Sequence, residues 1–239
     1  MRNFLIRILQ ALLLLAVASS FAHAEGQFVY FKKKAAAGGG APTLLVDEGF
    51  EGAGAPASWT SAGTVDWDEA TVFHDGAQSL QVDSGSADGY GAITFAGAND
   101  IYGEYWFYND HIPSTDAIVL RLYNGATELA KIEQRASGVL RAQAIGGTTG
   151  ACTLTTGEDS WKRIWFHFTI GGGADATMRV WWATDDTHPG NGSAQYFCQS
   201  TNGTTTLQAT AVRLFSDNIG TTNGSRYYDT LVVDDAILW

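Results

Sequence analysis

Residues 160–183 read SWKRIWFHFTIGGGADATMRVWWA, and their apolar side chains recur at every second position rather than every third or fourth. From Trp161 to Ile170, Lys162, Ile164, Phe166, Phe168 and Ile170 fall on one side of an extended chain. Trp161, Arg163, Trp165, His167 and Thr169 fall on the other. After a Gly-rich break, Met178, Val180 and Trp182 alternate with Thr177, Arg179 and Trp181. Upstream, Ile118, Leu120 and Leu122 alternate with Val119, Arg121 and Tyr123. This is the pattern of antiparallel sheets that bury one face and leave the other polar or aromatic.

Working outward, similar short runs predict strands at Thr43–Asp47, Ser79–Asp83, Ala92–Phe95, Tyr102–Tyr108, Glu128–Arg135, Val139–Ile145, Ala194–Phe197, Ala209–Phe215 and Thr230–Leu238. Asn124-Gly125 and Ser137-Gly138 mark tight turns between alternating runs. Helix signals are nearly absent after the first two dozen residues, and no internal repeat is visible. Many short strands at this spacing predict an all-β, two-sheet sandwich.

The N-terminus reads as a targeting segment. Arg2 and Arg7 precede an apolar run from Ile8 to Val17, and Ala22-His23-Ala24 offers a small-x-small cleavage site. The run is too short to span a bilayer of roughly 30 Å, so residues 1–24 are expected to be a signal peptide and the mature chain to be exported to the periplasm or beyond, without a membrane span. Residues 25–42 contain Lys32, Lys33, Lys34 and an Ala/Gly tract, the composition of a flexible tether. Residues 43–239 are expected to form one domain.

Five of the 14 basic residues precede that domain and only Glu25 of the 25 acids does, which leaves nine bases against 24 acids. Such a surplus of negative charge argues against nucleic acid, whose affinity for proteins rests on phosphate neutralisation. It is compatible with divalent cations. Cys152 and Cys198, an even count in an exported chain, read as a disulfide or as two buried thiols.

Three further stretches frame the domain: DEGFEG at 47–52, HDGAQSLQV at 74–82 and VVDDAIL at 232–238. Between them IYGEYWFYNDHIPS (101–114), AIVLRLYN (117–124) and LAKIEQRASGVLRAQ (129–143) lead into 160–183. In this order the motifs resemble the concanavalin A-like, laminin-G-like superfamily, and more loosely family 4 and family 22 carbohydrate-binding modules. The resemblance implies an antiparallel jelly-roll sandwich whose first and last strands lie side by side. It implies a structural calcium ion, which takes six to eight oxygens, at Glu51, the backbone around Asp75 to Ser79, and Asp234 or Asp235. The alternative is that these carboxylates only blunt a sheet edge.

The same resemblance implies a saccharide on a polar sheet face collecting Trp106, Tyr108, Arg121, Tyr123, Glu133, Arg135, Arg141, Gln143, Trp165, His167, Arg179 and Trp181. Aromatic rings offer apolar faces to sugar C–H groups, and Arg and Gln offer donors to hydroxyls or carboxylates. The arginines favour an anionic glycan; their alternative is pairing with nearby acids. The carboxylate pair of a glycosidase has no counterpart, because Asp66, Asp68 and Glu69 fall in an expected loop and Glu104 stands alone. The Y-x-K-x-G-x-Y strand of jelly-roll lyases is missing, although His167, Tyr123, Arg141 and Gln143 supply the residue types. The expectation is a non-catalytic, secreted carbohydrate-binding domain. A structural or adhesive surface protein is the alternative, and a polysaccharide lyase or glycoside hydrolase the less favoured third reading.

Overall fold

The computed structural model describes residues 43–83, 89–173, 175–190, 196–216 and 224–236, so the expected signal peptide and tether lie outside the described residues. Fifteen strands follow in chain order: β1 (Leu44–Glu48), β2 (Trp59–Ala62), β3 (Val65–Glu69), β4 (Ser79–Asp83), β5 (Gly89–Ala98), β6 (Asp100–Asn109), β7 (Ala117–Asn124), β8 (Thr127–Gln134), β9 (Val139–Ala144), β10 (Thr149–Thr155), β11 (Lys162–Thr169), β12 (Ala176–Ala183), β13 (Phe197–Gly203), β14 (Ala209–Ser216) and β15 (Ser225–Asp234). One sheet runs β13-β12-β11-β6-β15-β4-β3, with β1 also on β15; the other runs β10-β9-β8-β7-β14-β5-β2. Every pairing is antiparallel. Among the described residues no helix is long and apolar enough to cross a membrane.

The alternating apolar sets meet between the sheets. Ile164, Phe166, Phe168 and Val180 of the eight-stranded sheet and Leu120, Leu122, Ile132, Leu140 and Leu214 of the seven-stranded sheet are fully buried in one cluster. Burying side chains of this size contributes roughly 1.5–3 kcal/mol each. Phe166 lies opposite Gly103, where an added Cβ would come within 2.2 Å of its ring, so only glycine lets the ring lie across β6. Tyr228 ties the layers together: its hydroxyl lies 2.9 Å from the carbonyl oxygen of Val119 and 2.6 Å from that of Phe215.

β15 holds the eight-stranded sheet together. One edge pairs with β6; along the other, Ser225–Tyr228 pair with β4 and Leu231–Asp234 with β1. At the changeover the register against β6 slips by one residue, and Thr230 has φ 49°. A β-branched residue in that region is strained, as expected of a bulge that re-aims its neighbours. The fully buried Asp229 beside it is thereby turned toward the loop before β4.

Cys152 and Cys198 form a disulfide over a sequence separation of 46. It joins β10 and β13, the outermost strands of the two sheets at the same end of the sandwich. Thr148 N–H donating to Thr201 O and Thr204 N–H donating to Ile145 O continue the closure there.

The structure departs from the expected strands in five places. β2, β3 and β10 were not expected, and Asp66, Asp68 and Glu69 lie in β3 rather than in a loop. The last strand starts at Ser225, since the bulge at Asp229–Thr230 interrupts its alternation without ending it. β13 begins at Phe197 and runs on through Gly203.

Candidate functional site

The residues expected to share one ligand face divide between two. Trp106, Trp165, His167, Arg179 and Trp181 project from β6, β11 and β12 of the eight-stranded sheet. Arg121, Tyr123, Arg141 and Gln143 project from β7, β8's neighbour β9 and their surroundings in the seven-stranded sheet. Both sheets turn their apolar sets to the shared core, so the alternate sets point away from each other. Alternation distinguishes inside from outside within a strand; it does not say which outside.

On the seven-stranded sheet, Arg213 of β14 lies opposite Arg121 of β7, Arg121 opposite Lys131 of β8, and Lys131 opposite Gln143 of β9. Neighbouring strands are roughly 4.7–4.9 Å apart, and like charges placed directly opposite are destabilising. A domain with nine bases and 24 acids nevertheless sets three bases in one cross-strand row. Violations of a local rule of this kind are characteristic of functional surfaces.

Around the row, Arg121 Nε lies 3.1 Å from Glu128 and Lys131 Nζ 2.7 Å from Glu133. Arg141 bridges Glu133 and Asp116, the latter at 3.0 Å, and Arg135 also reaches Asp116. Arg213 makes no ion pair among the described residues; its guanidinium lies 4.1 Å from the Tyr123 ring centroid and 4.8 Å from that of Tyr90. Arg121 lies 4.5 Å over Phe215. Ile118, Tyr123, Ala211 and Phe215, with Tyr90 against them, make a small apolar cluster separate from the core. The stacked rings hold the guanidinium planes still and leave the five-donor fork able to meet carboxylates. Arg213, Lys131, Tyr90 and Phe215 were missed in the sequence, yet Ala211, Arg213 and Phe215 alternate with Val212 and Leu214, so the signal for two of them was present.

The eight-stranded sheet corrects a second expectation. Trp165 and Trp181 should have been open to solvent and are 2 % and 3 % exposed; Trp106 is 3 % exposed. The His188 ring lies 5.1 Å from Trp165 and 5.0 Å from Trp181, and burial lowers its pKa to about 4. Asp186, in the same segment, pairs with Arg163, which also binds the buried Glu104 at 2.7 Å. Burial pushes the Glu104 carboxyl up, and Arg163 opposes it. His74 stacks on Trp106 with centroids 3.6 Å apart. Loops thus roof the tryptophans, something strand periodicity carries no information about.

Of the expected calcium ligands, Glu51 and the Asp75–Ser79 loop come together: the Ala77 N–H donates to Glu51 Oε2 at 2.9 Å. The His74 and Asp75 N–H groups both donate to Asp229, whose pKa burial nevertheless raises to about 6. Ser79 Oγ donates to Val72 O at 2.6 Å. Asp234 accepts from Ala236 N–H and Asp235 from Thr43 N–H. They stand at the other end of β1, because Leu44 lies opposite Asp234 while Glu48 lies opposite Leu231. Four strand steps at about 3.3 Å put roughly 13 Å between those ends. Among the described residues no three His, Cys, Asp or Glu side chains are grouped for a metal.

No family model matches the sequence, and no curated protein does. Solved structures do match. The chain is similar to a structure described as cellulose induced protein, Cip1 (TM-score 0.58, 14 % identity, 80 % of this chain and 97 % of that one). It is similar to endo-β-1,4-glucuronan lyase from the fungus Trichoderma reesei (TM-score 0.52, 11 % identity, 74 % and 87 %). It is also similar to the Emp47p carbohydrate recognition domain (TM-score 0.51, 12 % identity, 81 % and 95 %). At such identities these likenesses establish the fold, a concanavalin A-like jelly roll.

Proposed function

We propose that the outer face of the seven-stranded sheet binds an acidic polysaccharide without cleaving it, as part of an exported protein. The observation that carries this reading is the cross-strand row Arg213–Arg121–Lys131–Gln143. A polymer with a carboxylate on successive sugars can place one charge near each cation, while Tyr90 and Tyr123 offer ring faces to C–H groups. Two of the structural neighbours, by their names, act on a glucuronan and recognise carbohydrate. Binding is favoured over lyase chemistry because His167, the imidazole of the expected base-and-neutraliser set, projects from the opposite sheet.

The test titrates the full chain with polygalacturonate and with a neutral glucan, and follows the ultraviolet absorbance of unsaturated uronate ends. Salt-sensitive binding of the acidic polymer alone, without absorbance growth, is expected. Absorbance growth would select the lyase reading, and absence of any polysaccharide binding would remove the proposal.

The proposal includes a calcium ion, held by Glu51 and carbonyls of the Asp75–Ser79 loop without Asp234 or Asp235. It would act by linkage on stability rather than in any reaction. Only one carboxylate of the expected set reaches this point, so the ion would be bound weakly and mainly by neutral oxygens. Millimolar calcium should raise the melting temperature and Glu51→Ala should cancel the rise; a calcium-independent melt would remove the ion from the proposal.

A further inference from the structure

The roof over the tryptophans stops short of one row. Across β6, β11, β12 and β13, Tyr102 lies opposite His167, His167 opposite Arg179, and Arg179 opposite Gln199, all on the outer side of the eight-stranded sheet and all partly exposed. Tyr102 and His167 stack with centroids 4.0 Å apart and planes 9° apart. Asp100 fixes the imidazole, 3.2 Å from Nε2, and also accepts from Thr169 Oγ1.

Arg179 is the unusual member. Arg121, Lys131, Arg135, Arg141 and Arg163 each find a carboxylate and Arg213 lies against the Tyr90 and Tyr123 rings, whereas Arg179 makes no ion pair or hydrogen bond among the described residues. Thr177, two positions earlier on the same side of β12, has its hydroxyl oxygen shut off from solvent and unbonded. A half-buried guanidinium that meets no carboxylate among the described residues, in a domain where acids outnumber bases 24 to nine, keeps its donor fork available to an anionic ligand.

We infer that this row is a second saccharide site, on the opposite side of the sandwich, which takes a single sugar carboxylate beside neutral, hydroxyl-bearing units. Arg179 receives the carboxylate. Gln199 and the His167–Asp100 pair offer hydrogen bonds to hydroxyls, and the Tyr102 ring offers an apolar flank. Four strands give the row a length of about 14 Å, more than one pyranose ring. Asp100 at its end repels a second negative charge, so the row differs in kind from three adjacent cations. It selects an isolated uronate rather than a polyuronate, and it disfavours phosphate dianions.

The experiment titrates the full chain calorimetrically with an aldobiouronic acid, one uronate joined to one neutral sugar, while two-dimensional NMR follows the His167 ring. Wild type should bind with a shift of the His167 signals. Arg179→Gln should weaken binding at least tenfold, and Arg213→Gln should leave it within twofold. Gln199→Ala, a smaller change on an edge strand, should weaken binding threefold or more with an unchanged melting temperature. The inference is overturned if Arg179→Gln and Gln199→Ala bind like wild type, if the neutral disaccharide binds equally well, or if inorganic phosphate binds more tightly. Loss of aldobiouronic acid binding in Arg213→Gln alone would return the ligand to the seven-stranded sheet and also overturn it.

Discussion

On the seven-stranded sheet the outward cations stand in a row that no loop roofs completely, Arg213 against Arg121 against Lys131, with each side chain of the latter pair about one-fifth exposed and paired with a glutamate. On the eight-stranded sheet the side chain of the outward cation Arg163 is 10 % exposed, held between Glu104 and Asp186, and the tryptophans beside it lie under His188. The two faces begin from the same alternation of inward and outward residues. What separates them is whether a loop crosses the outward set. A roofed charge depends on its partner for stability, while an open one is available to a ligand, so identical residue types acquire opposite roles.

The contrast breaks most sharply on the buried pair. Arg163→Ala should cost about 3–5 kcal/mol in urea unfolding, because Glu104 is left charged and desolvated. Arg121→Ala should cost no more than about 1 kcal/mol, the range of exposed pairs. Equal losses would mean that the two faces are energetically alike. Next comes the bridge between the far edges of the two sheets. Replacing Cys152 and Cys198 by Ser should cost roughly 3–4 kcal/mol for a loop of this length, read as a lower urea midpoint; an unchanged midpoint would assign the closure to the flanking hydrogen bonds.

A smaller effect sharpens the comparison on the binding side. Arg213→Gln should weaken polygalacturonate binding by about 1–3 kcal/mol with little change in melting temperature, and the dependence on salt should become shallower. A loss of stability without a loss of binding would make Arg213 a structural clasp between Tyr90 and Tyr123. The smallest effect concerns the roof. The folded-state pKa of His188 lies near 4, below its ordinary 6.5, so its contribution to stability is present above about pH 6.5 and is lost as pH falls toward 4. Acidification through that window should shift the fluorescence of Trp165 and Trp181 to longer wavelength, and His188→Gln should flatten the response. An identical titration in that variant would move the transition to another group.

Much of the architecture was legible in residues such as Ile164, Phe166, Val180 and Leu120, whose two-residue period reflects burial against a common core. Cys152 and Cys198 were legible as a pair, and their bridging of both sheets follows from β10 and β13 being edge strands. The candidate sites were less legible, for physical reasons that can be named. Trp165 and Trp181 share the period of Arg121 and Tyr123, yet their exposure depends on His188 and Asp186, which belong to an irregular segment. The row Arg213–Arg121–Lys131 is created by register between the β7–β8 hairpin and β14, which follows it far along the chain. β10 escaped notice because Gly150, Ala151 and Thr153 have little apolar contrast. β3 escaped because Asp66, Asp68 and Glu69 outweigh the inward Trp67 in any reading by composition.

The double pairing of β15 has a consequence for how the chain is made. Of the described strands β15 is the last to be synthesised, yet it lies between β6 on one side and β4 and β1 on the other. Until it arrives, the eight-stranded sheet is three unjoined pieces, β13-β12-β11-β6, β4-β3 and β1, with open edges. The buried ring of Tyr228, which reaches both layers, is also missing from the core. Long-range pairings of this sort form slowly, and unpaired edges invite association with other chains. A ribosome that pauses anywhere before Ser225 therefore displays an incomplete sandwich that a chaperone can bind, and release of one ten-residue segment converts it to a closed one.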